Sequence, residues 1–332
     1  MDLESKFIGT IIGAALGDAI GKSVEDLTEE EVFSFYGGPI EGFVDPHPQS
    51  PAYGFKPEEV SDETTISLLL LESIVERKGI DPYHFFSKLV KWRKEESKHR
   101  YPDPALLTAI DLLSSGISLE KACFYSSSVE GALRSTVVGL FHFYNPYLSA
   151  EGGRLVCIMT HRSREVYDVS AMLSVLIASL VSGEWHLEEL KQRINLLSFL
   201  QEFARYENSK KDIERVKDLL QKRASLNDAI TALGNSSYVL EAFPLSLFIF
   251  LSNLDNPKKA FFESVNSYGK FGGDTDSIGY LVGSYIGACF GAEAFDWELV
   301  EKLENSDYYI SLAKRFFEIA QEKTDRRMPN VL

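Results

Sequence analysis

Apolar residues recur along this chain with a period of three to four. Ile66, Leu69, Leu70, Ser73 and Ile74 share one stripe, as do Val169, Leu173, Leu176, Ile177 and Leu180. That spacing lines one face of an α-helix; no convincing alternating run marks a strand. The pattern divides into roughly a dozen to fifteen helical segments. Several helix starts are marked. Asp81 precedes Pro82, a cap followed by a proline at the first helical position, and Thr28 with Glu31 forms a capping box. The run 243–251 continues a helix that begins near Tyr238, with Pro244 near its start or at a kink.

One stretch breaks the period. Residues 37–60 hold Pro39, Pro46, Pro48, Pro51 and Pro57 with Phe43, Tyr53 and Phe55 between them. A connection this long is usually functional or disordered, and the aromatics predict an ordered loop. No repeat, linker or composition shift divides the chain, so one all-α, multi-helix domain over residues 1–332 is expected.

Two helical segments carry glycine at every fourth position: Gly9, Gly13, Gly17 and Gly21, and Gly279, Gly283, Gly287 and Gly291. Each interior glycine costs a helix ~1 kcal/mol relative to alanine, so the stripes need a compensating gain. Glycines on an i, i+4 face let another backbone come close. Two central helices packed against each other are the predicted arrangement.

Composition narrows the function classes. The chain has 332 residues, 34 Lys plus Arg and 49 Asp plus Glu, for a net charge of −15. That excess of acid argues against a nucleic-acid partner, which needs a basic face. Cys123, Cys157 and Cys289 are odd in number and form no C-x-x-C pair, which excludes a disulfide framework and suits a reducing cytoplasm. The N-terminus is too acidic for a signal peptide. The longest apolar stretch, 278–290, is about 13 residues against the ~20 of a bilayer span. A cytoplasmic protein with no membrane partner is expected.

The candidate chemistry lies in two acidic segments, each ahead of an apolar helix. Ser61-Asp62-Glu63-Thr64 precedes the helix from Ile66, and Gly272-Gly273-Asp274-Thr275-Asp276-Ser277 precedes that from Ile278. Either alone reads equally well as a helix cap. Together they place four carboxylates in one core, which is costly unless a cation neutralises them. Hard oxygen ligands suit Mg²⁺, Mn²⁺ or Ca²⁺, not zinc, and four carboxylates suggest two ions.

These residues resemble a known family. Gly17-Asp18-Ala19-Ile20-Gly21 followed by Glu25 is similar to the G-D-A-x-G…E segment of the ADP-ribosylglycohydrolases. Ser61-Asp62-Glu63-Thr64 resembles their T-D-D-T motif, residues 272–277 their G-G-D-T-D-[TS] motif, and Thr160-His161 their T-H pair. The resemblance implies an all-α domain with two Mg²⁺ ions, Mn²⁺ being the alternative, held by Ser61, Asp62, Glu63, Asp274, Asp276 and Ser277. It implies catalysis by Glu25, Asp62 and Asp276, Glu25 as general acid or base, and an ADP-ribose cleft lined by Gly131, Arg134 and His161. The implied substrate is an ADP-ribosylated protein or an ADP-ribosyl-like small molecule, taken by a monomer. A non-catalytic member, like the jellyfish lens crystallin of this family, is the alternative. Glu63 stands where the family usually has Asp. The family's G-N-G-A-A-M-R-x-x-P loop appears as residues 128–137, where Arg134 is kept and Glu130 brings negative charge toward a diphosphate. The D-x-G segment appears as Asp103-Pro104-Ala105.

Overall fold

In a computed structural model, which describes residues 2–122, 125–185 and 187–327, 69% of the chain is helical and no strand forms among the described residues. Seven helices position the site: α1 Leu3–Gly21, α2 Asp62–Arg77, α3 Pro104–Ser114, α4 Glu130–Leu133, α5 Arg164–Ser182, α6 Val239–Ser252 and α7 Thr275–Phe290. One continuous apolar core runs from Phe7 to Ala320. The caps read from sequence are present. Thr28 and Glu31 make the reciprocal capping box, and Asp81 accepts the Tyr83 and His84 amides ahead of Pro82. Helix α6 begins at Val239 and runs through Pro244.

Helices α1 and α7 are the axis of the fold, and they lie antiparallel along their glycine stripes. A Cβ on Gly13, Gly17 or Gly21 would land on the carbonyl of Gly283, Gly279 or Thr275, and one on Gly287 would land on Gly9. Backbone therefore packs on backbone, and the lost propensity is returned as contact area along a buried interface. One expectation is corrected. Gly291 does not continue the stripe inside the helix; at φ 77° it caps α7, a conformation that favours glycine.

The reading of membrane-length segments is also corrected. Residues Leu3–Val24 and Arg164–Ser182 are long and apolar enough to cross a bilayer by length and composition. Their apolar windows are 100% and 83% buried inside the protein, so both are core helices here. The sequence criterion missed them because scattered Asp, Lys and Ser residues interrupt the apolar run without lowering its mean.

The 37–60 loop is ordered without regular structure, as its aromatics predicted. It is pinned to the turn after α1: the His47 amide donates to Ser23 O (3.1 Å), Ser50 Oγ to Lys22 O (2.7 Å) and Lys22 Nζ to Pro57 O (2.8 Å). Cys157 is buried and Cys289 half-buried. Cys123 lies outside the described residues.

Candidate metal and active site

The glycine register places the chemistry. Because α1 and α7 run antiparallel, the C-terminal end of α1 meets the N-terminal end of α7. Gly21 lies on Thr275, and Asp18 comes beside Asp276. The chain then turns at Asp26 (φ 63°), whose amide donates to Gly273 O at 3.0 Å, so that Glu25 faces Asp274. Gly272 makes that turn fit. Its φ is 88°, and a Cβ there would strike the Asp26 carbonyl. Asn235 clamps the same turn, donating from Nδ2 to Ser267 O and Gly272 O (both 2.8 Å) and accepting the Asp274 amide on its own carbonyl.

Two sets of carboxylates result, with ligand atoms within 4.8 Å of one another: Asp18, Glu63 and Asp276, and Glu25, Asp274 and Asp276. Asp276 belongs to both. The capping reading and the metal reading turn out to share residues. Ser61 caps α2 by accepting the Glu63 amide, and Asp274 caps α7 by accepting the Ser277 amide (each 3.3 Å). Each cap uses one oxygen, and in Asp274 the other is left over. Glu25 Oε2, Asp62 Oδ1, Glu63 Oε2 and Asp274 Oδ2 are buried without a hydrogen-bond partner. Buried anionic oxygens without donors call for a cation or a proton. Hard, all-oxygen surroundings fit Mg²⁺ or Mn²⁺.

The structure does not bring every expected residue into these sets. Asp62 stands aside: its Oδ2 accepts the Arg100 amide at 2.7 Å, and with Glu63, Glu130, Arg134 and His161 it lines a cavity of ≈10 Å³, room for about one water. Ser61 and Ser277 are buried at the starts of α2 and α7, next in sequence to Asp62 and Asp276. His161 and Arg134 are almost wholly buried. The His161 ring stacks on Gly131, and its Nδ1 lies 2.9 Å from Thr160 Oγ1. Its Nε2 is 2.8 Å from Asp103 Oδ2, an ion-pair distance but off the line that a hydrogen bond needs. Arg134 donates to Val156 O and Thr160 Oγ1. These residues brace the cavity wall. Beside Glu25 and Asp274 a wider cleft of ≈700 Å³ opens, with Asp26, Lys270 and Phe271 on its walls.

Three contributors were not selected from sequence. Asp18 accepts the amides of Ser61 (3.0 Å) and Thr64 (3.2 Å) and the Thr64 hydroxyl (2.5 Å), tying α1 to α2. A charge on an otherwise apolar glycine helix was the signal for it. Tyr101 donates to Asp276 Oδ2 at 3.1 Å, and Asn235 holds the Gly-Gly turn. Nothing local announces either.

Burial dominates the electrostatics. It pushes Asp18 up to about 6, with Asp276 adding to the rise and the Thr64 and Ser61 hydrogen bonds opposing it. It pushes Asp62 up to about 7 against the Arg100 amide. Glu25, Glu63, Glu130 and Asp276 lie well above the ordinary carboxylate range through burial and mutual repulsion. A carboxyl raised in the folded state holds a proton that the unfolded chain has released. Stability therefore falls as pH rises from the unfolded value, 3.8, through the folded values of about 6 and about 7. At ~1.4 kcal/mol per pH unit, the rises from 3.8 to about 6 and about 7 together amount to roughly 7 kcal/mol. The chelator-treated protein should melt several degrees higher near pH 5.5 than near pH 7.5, and Mg²⁺ should raise the melting temperature more at the higher pH. A flat profile, indifferent to the cation, would show that these oxygens are not in conflict.

The chain is similar along its whole length to proteins of one family. A family model described as ADP-ribosylglycohydrolase matches residues 1–326. A protein of Archaeoglobus fulgidus without an assigned function is 29% identical, covering 96% of this chain and 97% of its own. The ADP-ribosylarginine hydrolase Tri1 of Serratia proteamaculans is 22% identical over 95% of this chain and 80% of its own, and the ADP-ribosylhydrolase ARH3 of Danio rerio is 22% identical over 95% and 90%. A solved structure, an ADP-ribosylglycohydrolase-related protein complex, superposes with a TM-score of 0.74 at 19% identity, covering 96% of this chain and 99% of that one, and so shares the fold. The chain belongs to the ADP-ribosylglycohydrolase family.

Proposed function

We propose that this protein hydrolyses an N- or O-glycosidic bond at the anomeric carbon of a ribosyl group, with an ADP-ribosylated side chain or small molecule as substrate and two Mg²⁺ ions, or Mn²⁺, in the acid centre. The observation that carries the reading is the pair of carboxylate sets sharing Asp276, with unpartnered buried oxygens, beside an open cleft. The hydrolase activities in the names of the relatives Tri1 and ARH3 point to the bond class.

One ion would take Glu63 and Asp276, with the free Asp62 oxygen on the same side; the other would take Asp274 and Asp276. When bound, the cations supply positive charge that neutralises these carboxylates and polarises sugar hydroxyls and water. The chain's own groups do the rest. Asp18 holds the start of α2 against the centre through its two amide bonds. Glu25 is the general acid or base, because its Oε2 is buried, unpartnered and on the cleft wall. The carboxylates around it favour an oxocarbenium-like transition state, where positive charge develops on the sugar. All these residues come from one chain, so a monomer suffices.

Glu130 tunes the ligand. It lines the small cavity with Asp62, Glu63 and His161, and its side chain fills space that a diphosphate reaching this wall would need. ADP-ribose is expected to bind wild type weakly, and Glu130→Gly to bind it about tenfold more tightly, a gain of ~1.4 kcal/mol. Calorimetry on both proteins checks this; tight binding by wild type, unchanged in the variant, would show Glu130 to be irrelevant to the ligand.

The altered 128–137 loop favours one competing reading, a ligand-binding member without catalysis. A thermal-shift screen with Mg²⁺, Mn²⁺, ADP-ribose and nucleosides, followed by product analysis, separates the two. Cation and ligand shifts with ribosyl release support hydrolysis; shifts without release favour the binding protein.

A further inference from the structure

We propose that Tyr101 is a positioning residue for Asp276, setting the orientation in which that carboxylate serves both halves of the acid centre. The inference rests on the reading that Asp276 holds cations. Asp276 is the member common to both carboxylate sets, so its rotation about the last side-chain bond matters more than that of any other ligand. Its two oxygens are fixed from different directions. Oδ1 accepts the amide of Ser277, its own helix neighbour, at 2.8 Å, and Oδ2 accepts the Tyr101 hydroxyl from a segment 175 residues away.

That segment is built as a strap across the site. Tyr101 has φ 48°, a left-handed backbone that a bulky residue keeps only where its surroundings over-determine it. The surroundings do so. The Arg100 amide donates to Asp62 Oδ2 at 2.7 Å, and its guanidinium donates to Val60 O (2.6 Å) and to both oxygens of Glu304 (2.7 and 2.9 Å). The Tyr101 ring lies 6.0 Å from that of Phe55, in the pinned 37–60 loop. Two residues on, Asp103 caps α3 with its carboxylate on the Ala105 and Leu106 amides and pairs with His161. The left-handed turn at 101 thus presents consecutive residues to the two acidic segments, the Arg100 amide to Asp62 and the Tyr101 phenol to Asp276.

Donors that orient a ligating carboxylate typically cost 10- to 100-fold in metal affinity or activity when removed. Tyr101→Phe keeps the ring on Phe55 and deletes only the hydroxyl. In calorimetric titrations of chelator-treated protein with Mn²⁺, this variant should bind about 10- to 100-fold more weakly than wild type, with its metal-free melting temperature nearly unchanged. With a ribosyl substrate, kcat should fall while KM stays within about threefold. A merely structural tyrosine would lower the metal-free melting temperature and leave the Mn²⁺ affinity alone. Should Tyr101→Phe fail to fold, Arg100→Ala, which frees the strap from Glu304, should also weaken Mn²⁺ binding. Wild-type binding of Mn²⁺ with either folded variant unchanged overturns the proposal and leaves the site reading intact. No Mn²⁺ binding by wild type overturns the site reading and the proposal with it.

Discussion

Asp276→Asn is expected to lose nearly all hydrolysis and at least about tenfold in divalent-cation affinity. The amide keeps the shape of the side chain and one carbonyl oxygen. It removes the charge from the position common to both carboxylate sets, and it offers an NH₂ where Tyr101 now donates. Other substitutions should grade below it. Asp62→Asn should also lose nearly all activity, Glu63→Gln much of it, while Glu63→Asp should keep measurable turnover because it restores the residue usual in the family. Asp276 stands ahead of Glu63 because it sits in both sets and Glu63 in one. The Asp62 expectation rests on its place in the acidic motif and on its one unpartnered oxygen, the other accepting the Arg100 amide. Steady-state rates and Mn²⁺ titrations on the four variants check the order. Wild-type rates in all four would reduce these carboxylates to helix caps.

Gly283→Ala is expected to be among the most destabilising single methyls in the molecule, costing about 4 kcal/mol or more. In an isolated helix the same change would gain up to ~1 kcal/mol. Here the added Cβ falls on the carbonyl of Gly13, and that of Gly17→Ala falls on the Gly279 carbonyl. Neither backbone can yield without moving a whole helix that is buried on every side. Gly38→Ala is the control, because a Cβ there meets nothing within 4 Å; its effect should stay within about 0.5 kcal/mol. Denaturant unfolding of the three variants checks this. A neutral Gly283→Ala would refute backbone-on-backbone packing. Because the α1–α7 register also brings Asp18 to Asp276, variants that fold should bind Mn²⁺ more weakly.

Where the sequence was legible, the cause was local. Gly9 to Gly21 and Gly279 to Gly287 could be read because a four-residue period survives only where every turn of a helix meets the same close neighbour. The acidic segments could be read because Ser61 and Asp274 sit at helix starts, where capping chemistry has a known form. The mutual register of the two helices was not legible, since nothing in either stripe says which glycine meets which. Tyr101 was missed for the same reason: its partner is 175 residues away, and its left-handed backbone is imposed by Arg100, Val60 and Glu304 rather than by its own type. Asn235 reads as an ordinary loop residue until the Gly-Gly turn folds onto it. Arg134 and His161, expected at a ligand cleft, line the small cavity with Asp62 and Glu63 and are also bonded to protein. A motif conveys residue type and order; it does not convey the bonds that hold each side chain in place.

Whether the acid centre is a cation-dependent ribosyl hydrolase is decided by ribosyl release from ADP-ribosylated arginine and serine peptides, followed by chromatography with purified wild type in Mg²⁺, after chelation, and after Mg²⁺ or Mn²⁺ is restored. Release is expected in Mg²⁺, none after chelation, and recovery on adding either cation back. Release that continues undiminished in chelator would contradict that reading.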